Sequence, residues 1–207
     1  MDDYRNTKYC PSFDKLGDRK SELLRLVQME HKKAKNIYDY VSKRDGYKKD
    51  FASVYNYKCA YCGVSVDLLP LDGFEIDHVR FKAGIAKTTE AGDINNLALS
   101  CRYCNRKKSD FPIPDDHMQV LHPDKDITAC FDRDDLYNII IKPDKADDEI
   151  VNRFYNQMCL GDEVHRLDFL LMNMIGLSKK IEDKPVVKLH LCEAIATLRK
   201  KRNIWLQ

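Results

Sequence analysis

Two short turns constrain this chain most: "KCAYCG" at residues 58–63 and "SCRYCN" at residues 100–105, with 38 residues between Cys62 and Cys101. Two residues between cysteines let both sulfurs reach one tetrahedral ion, about 2.3 Å from each, and two such knuckles complete a closed four-sulfur site. Structural Zn2+ on Cys59, Cys62, Cys101 and Cys104 is the expected reading. Disulfides are the competing one, but a cytoplasmic chain seldom keeps them, and a C-x-x-C disulfide is redox-active rather than structural. Cys10, Cys130, Cys159 and Cys192 are scattered and read as small buried apolar residues. A closed site has no open coordination position, so it holds the chain together and any chemistry must come from residues nearby.

The rest of the composition limits what that chemistry serves. With 207 residues, 43% hydrophobic and 33% charged, the chain can build one sizeable core or a small domain with helical additions. No apolar run approaches the roughly 18 to 20 residues of a membrane helix, and "MDDYRNTKYC" lacks a signal-peptide pattern, so a cytoplasmic protein without membrane association is expected. A net charge of +2 does not announce a nucleic-acid partner, but "CRYCNRKKSD" concentrates four basic residues against one acidic. The basic run "LRKKR" near the C-terminus reads as a solvated helix face.

Between the knuckles, "FEIDHV" alternates apolar and polar residues as a half-buried strand does, and it carries Asp77 and His78. "DINNLALS" follows with Asn95 and Asn96, and Asn105 comes directly after the last cysteine. An isolated Asp-His pair has no special meaning, but these features in this order resemble the HNH nucleases with their ββα-metal fold, over residues 57 to about 110. The resemblance implies an α+β architecture: a ββα-metal core with a structural zinc knuckle, flanked by mainly helical segments. "FEIDHV" is the first expected strand, residues 80 to 94 a loop and "LALS" the second strand. A helix beginning near Cys104 carries "NRKKSDF" and stops before Pro112 and Pro114. The expected division is an N-terminal helical segment over 1–50, the nuclease domain over 51–112, and a hairpin plus helical region over 113–207.

The same resemblance assigns roles. His78 is the general base that takes a proton from the attacking water, a task suited to a group titrating near neutral pH. Asp77 and Asn105 hold a catalytic Mg2+ or Mn2+ with oxygen atoms, the ligands such hard ions prefer. Asn96 matches the middle motif position, better than its neighbour Asn95, and ties down the loop that orients the histidine. Lys108 matches a basic position common in the family and ranks first among phosphate-backbone contacts, ahead of Arg80, Arg102, Arg106 and Lys107. Two departures stand out: asparagine rather than histidine at the third motif position, and "VRFKAG" without the proline common after the histidine.

Beyond this module, residues 19 to 43 place apolar side chains at near-helical spacing and predict one amphipathic helix. A second is expected near 47 to 56. Prolines mark "FPIPDDHMQVLHPDKD" as a connector, "ITACF" and "YNIIIK" flank "DRDDL" as a hairpin, and residues 147 to 207 read as helical. His31 lies among charged residues of the first helix and reads as inert, while His117, His122, His165 and His190 are assigned to loops or core. A core followed by an "HPD" turn, a hairpin and helices also resembles, more weakly, the HNH subunits of bacterial antiphage modules such as the Septu type, which work with an ATPase partner. The expected function is metal-dependent endonucleolytic cleavage of nucleic acid, DNA before RNA. RNA cleavage stays open, since one metal and backbone contacts do not read the 2′-hydroxyl. So does a non-catalytic zinc module binding nucleic acid or a protein. A thiol-redox protein leaves Asp77, His78 and Asn105 unexplained.

Overall fold

The computed structural model describes residues 3–43, 45–81, 85, 88–181 and 184–204. Helices α1 (Leu16–Glu30), α2 (Tyr38–Lys43) and α3 (Asp45–Val54) precede strand β1 (Phe74–His78). A single-turn α4 (Thr88–Ala91), strand β2 (Leu97–Cys101) and α5 (Arg102–Lys108) complete the central unit. A short α6 (Met118–Leu121) leads to a hairpin of β3 (Phe131–Arg133) and β4 (Ile139–Ile141), then to α7 (Glu149–Gln157), α8 (Glu163–Ser178) and α9 (Pro185–Ile204). The fold is the expected mixture of helices with small sheets, and no helix among the described residues is long and apolar enough to cross a membrane.

β1 and β2 pair antiparallel, Phe74 opposite Cys101 and His78 opposite Leu97. Phe74 and Ile76 are buried, as the alternation of "FEIDH" requires, and every residue of β2 is buried. β2 therefore lies inside the molecule. The first knuckle rests against it, Ala60 N–H donating to the Leu99 carbonyl at 2.8 Å. Gly63 closes that knuckle at φ 81, and a Cβ there would stand 2.2 Å from the Arg5 carbonyl oxygen, so only glycine fits. Arg5 is itself buried and donates to the carbonyls of Ala60 (2.6 Å) and Pro123 (2.7 Å), joining the N-terminal segment, the knuckle and the connector.

Two expected helices differ in length. The single helix predicted over 19–43 is two helices, because the chain leaves helical geometry at His31 (φ −128, ψ 75). The intervening segment turns to give the N–H groups of Ile37 and Tyr38 to the Gly92 carbonyl, at 3.0 and 3.3 Å. A Cβ on Gly92 would collide with the Asn36 amide, so glycine permits this close approach. The break brings α2 against β1. α5 is shorter than predicted: it ends at Lys108, before either proline, because Ser109 takes a positive φ of 49. That turn sends Phe111 into the core, 7% exposed. Part of the predicted 80–94 loop, residues 82–84 and 86–87, lies outside the described residues.

One buried apolar cluster joins Leu23 and Val27 of α1, Phe51 of α3, Leu97 and Leu99 of β2, Phe131 of β3 and Phe154 of α7. The hairpin and α7 thus pack on the same core as the central ββα unit. Asp148 caps α7 by accepting from the N–H groups of Ile150 and Val151, and Gln157 at its other end donates to the Lys107 carbonyl at 2.8 Å.

Candidate active site beside a four-cysteine knuckle

The β2–α5 corner places two of the four expected zinc ligands. Cys101 ends the strand and caps the helix, its sulfur accepting from the Cys104 N–H at 3.5 Å. Cys59 and Cys62 come from the knuckle packed on β2, and the four sulfurs lie within 4.8 Å of one another, all buried. The Cys62 and Cys101 sulfurs are 3.9 Å apart. Ligands about 2.3 Å from a tetrahedral zinc stand roughly 3.8 Å from each other, whereas a disulfide holds its sulfurs near 2.05 Å. The set fits structural Zn2+, and among the described residues it is the one group of histidine, cysteine and carboxylate side chains clustered to hold a metal.

The same corner arranges a second cluster through two matched spacings. Residues i and i+2 share one face of a strand, and i and i+3 one face of a helix, so Glu75 and Asp77 of β1 meet Asn105 and Lys108 of α5. Asn105 Nδ2 donates to Glu75 Oε2 at 2.6 Å, and Lys108 Nζ donates to Asp77 Oδ1 at 3.1 Å. Glu75 can only accept, so this bond fixes which end of the Asn105 amide turns toward it and leaves Oδ1 as an acceptor. Arg102 holds the other Glu75 oxygen at 3.2 Å. The second Asp77 oxygen accepts from Tyr61 Oη at 2.5 Å. Burial, followed by the Asp77 charge, pushes the Tyr61 phenol well above its usual value, so it stays a donor.

Asp77, His78 and Asn105 line one cavity of about 440 Å3 together with Tyr38, Phe81 and Ser109. The His78 ring packs against Tyr38 at 4.3 Å between centroids with the planes tilted by 44°, a contact made possible by the helix break that presents α2 to β1. Asn96 sits outside this cavity and clamps the backbone just past the histidine. Its Oδ1 accepts from the Arg80 N–H at 2.8 Å, and its Nδ2 donates to the carbonyls of Arg80 (3.1 Å) and Ala91 (2.9 Å). His122 of the "HPD" turn braces the neighbouring residue: its Nε2 donates to the Asn95 carbonyl at 3.0 Å, and its Nδ1 accepts from Asp124 N–H at 3.1 Å. Burial depresses the His122 pKa, which suits this neutral tautomer.

The expected backbone contacts are placed differently from the sequence reading. Lys108 is fully buried, its ammonium held by Asp77 and by the His78 carbonyl at 2.8 Å, so it steadies the site from inside and does not face solvent phosphate. Arg80 turns to Asp115 at 2.5 Å. Arg102, Arg106 and Lys107 line a different depression, with Tyr103 and Arg202. The helix that delivers Asn105 to one cavity points these three cations to another. Sequence reasoning missed Glu75, Tyr61 and Tyr38. Glu75 was legible, two residues before Asp77 on the same strand face. Tyr61 and Tyr38 carry no signal without the fold.

The geometry thus joins a closed four-thiol site to an open pocket holding a carboxylate, an imidazole and an amide. Residues 59–111 match the HNH endonuclease family. This HNH domain is about a quarter of the chain, and it contains all four cysteines with Glu75, Asp77, His78, Asn96, Asn105 and Lys108. Its presence supports nuclease chemistry and nucleic-acid binding. No curated protein and no solved structure matches the chain.

Proposed function

We propose that this protein is a metal-dependent endonuclease that hydrolyses phosphodiester bonds of DNA. The observation that carries the reading is the convergence of Asp77, His78 and Asn105 on one cavity within the HNH domain. A carboxylate oxygen and an amide oxygen form a hard donor set, and a carboxylate has about four acceptor positions, of which Tyr61 and Lys108 use two. Asp77 and Asn105 would therefore hold Mg2+ or Mn2+ and leave most of its sphere to water and phosphate oxygens. The bound ion supplies Lewis-acid stabilisation of the charge that builds on the phosphate.

The chain's own residues do the rest. His78 takes a proton from the attacking water. Tyr61 and Lys108 hold the Asp77 carboxylate in place. Glu75 holds the Asn105 amide so that its oxygen stays available. Asn96 fixes the backbone after His78, and with it the direction of the ring. Arg80, Arg102, Arg106 and Lys107 serve as outlying backbone contacts. The protein works in the cytoplasm as the nuclease subunit of an antiphage module beside an ATPase partner, a role supported by the order of connector, hairpin and helices in residues 113–207.

The test is incubation of the purified zinc-loaded protein with plasmid DNA and with RNA, with and without added Mg2+ or Mn2+, beside His78→Ala. DNA cleavage that needs the metal and is lost in the variant is expected. Equal cleavage by His78→Ala overturns the mechanism, and cleavage of RNA alone replaces the substrate. Co-purification of an ATPase with the tagged protein from its native host checks the partner.

A further inference from the structure

The active-site cavity does not end at the HNH domain. It adjoins a trough of about 690 Å3, with Phe81 and Asp110 lining both. The far side of the trough is Arg153, Asn156 and Gln157, three exposed residues on one face of α7 at i, i+3 and i+4 spacing. α7 lies outside the matched segment 59–111. Its position is built in: Phe154 is buried in the shared core, Asp148 caps the N-terminus and Gln157 is bonded to the last turn of α5.

We propose that this trough holds a single strand of nucleic acid continuing from the scissile phosphate, with a base on the Phe81 ring and a backbone phosphate at Arg153. Continuity gives the direction, and this part rests on the reading of Asp77, His78 and Asn105 as the cleavage site. A polymer cut in one cavity must leave through its neighbours. The lining gives the chemistry. Phe81, Phe111 and Pro112 form an apolar floor, and Arg153 makes no ion pair among the described residues, while Arg80, Arg102, Arg166 and Arg202 each meet a carboxylate. The Asn156 side chain likewise makes no hydrogen bond among the described residues and offers an amide donor and acceptor. A stacking ring beside a cation and amides is how proteins hold unpaired strands, whose base faces are accessible where those of a duplex are not. Asp110, the one carboxylate lining the trough, stands at its junction with the cavity, so the strand runs along the α7 side.

Binding without added Mg2+ or Mn2+, with the knuckle zinc left in place, tests the trough without cleavage. Fluorescent single-stranded oligodeoxythymidylate and a duplex of equal length are titrated against the full-length protein at several salt concentrations. The single strand should bind more tightly than the duplex. Arg153→Ala should weaken it about ten-fold and reduce the slope of log affinity against log salt by roughly 0.7, the release expected of one phosphate contact. Arg153→Lys should restore that slope. Phe81→Ala should weaken binding on the order of ten-fold with the salt slope unchanged, because stacking is not an ionic contact. Absence of binding, tighter binding of the duplex, or an Arg153→Ala protein with wild-type affinity and slope overturns the proposal. If these results hold while His78→Ala cuts as well as the wild type, the trough stands and the proposed mechanism fails.

Discussion

The four-cysteine knuckle and the Asp77–His78–Asn105 pocket grow from the same β2–α5 corner, yet solvent meets them differently. The cysteines are between 0% and 4% exposed, whereas His78 and Asn105 are half-buried and Ser109 and Asp110 at the pocket mouth are exposed. In the knuckle every ligand position is filled by the chain, so ion binding there contributes to folding. In the pocket the Asp77 carboxylate accepts from Tyr61 and Lys108 and keeps further acceptor positions, and Asn105 keeps its amide oxygen. One corner provides both because a cysteine at the strand end and another in the first helical turn face inward, while Asn105, one residue further along the helix, faces the opening.

Substitutions that uncouple the two sites test this contrast, and the largest effect belongs to the knuckle. Cys104→Ser removes one of four ligands and should abolish the cooperative thermal transition, with zinc content falling from about one ion per chain. A stable, fully folded variant would mean that the knuckle is not what holds the corner together. His78→Ala should lower the cleavage rate roughly 100- to 10,000-fold, the usual range for a general base, while the melting temperature stays at the wild-type value. Loss of stability alongside activity would merge the two sites into one.

Asp77→Ala should affect both properties, because Lys108 is left fully buried without its counter-charge, at a cost of about 3–5 kcal/mol. Adding Lys108→Met should recover most of that stability and none of the activity. If the double variant stays as unstable as the single one, the ion pair does not explain the loss. Glu75→Ala frees the Asn105 amide and should raise the Mg2+ concentration needed for half-maximal cleavage about 10- to 100-fold, with a smaller change for Glu75→Gln. An unchanged metal requirement would remove Glu75 from the site.

The smallest effect lies outside both sites. His117 bonds to Asp116 at 2.8 Å and to Asp148 at 3.2 Å, and its pKa is raised, first by the Asp116 bond. A raised folded-state pKa adds stability that is full below the unfolded value near 6.5 and lost as pH climbs through the folded value. Solvent screening limits this to no more than about 1 kcal/mol. The wild type should therefore lose slightly more thermal stability than His117→Asn between pH 5.5 and 8. Identical pH profiles would show that the contact is not formed in solution.

Much of the corner was legible in the sequence for local reasons. Paired C-x-x-C turns specify a tetrahedral thiol site through spacing alone, and the alternation of "FEIDH" specifies a half-buried strand. Asn105 follows the last cysteine directly, so any helix starting there presents both. The limits of this reading came from contacts distant in sequence. Nothing local in residues 19 to 43 says that the helix must break so that two N–H groups can reach Gly92. Nothing in "NRKKSD" distinguishes Lys108, which ends beneath Asp77, from Arg106 and Lys107, which stay near solvent on another face.

The sequence by itself determined the zinc-type knuckle, because two residues between cysteines let backbone geometry bring both sulfurs to one ion; the order strand–loop–strand–helix and the choice of Asp77, His78 and Asn105 came from the resemblance to the HNH nucleases. Only the tertiary structure decided which charges face solvent and which are buried partners. It paired Asp77 with Lys108 and Tyr61, turned the Asn105 amide with Glu75, and set α7 along the trough leading from the pocket. Those assignments depend on how helices rotate against β1 and the shared core. Helix rotation is fixed by burial summed over the whole chain, not by any one motif.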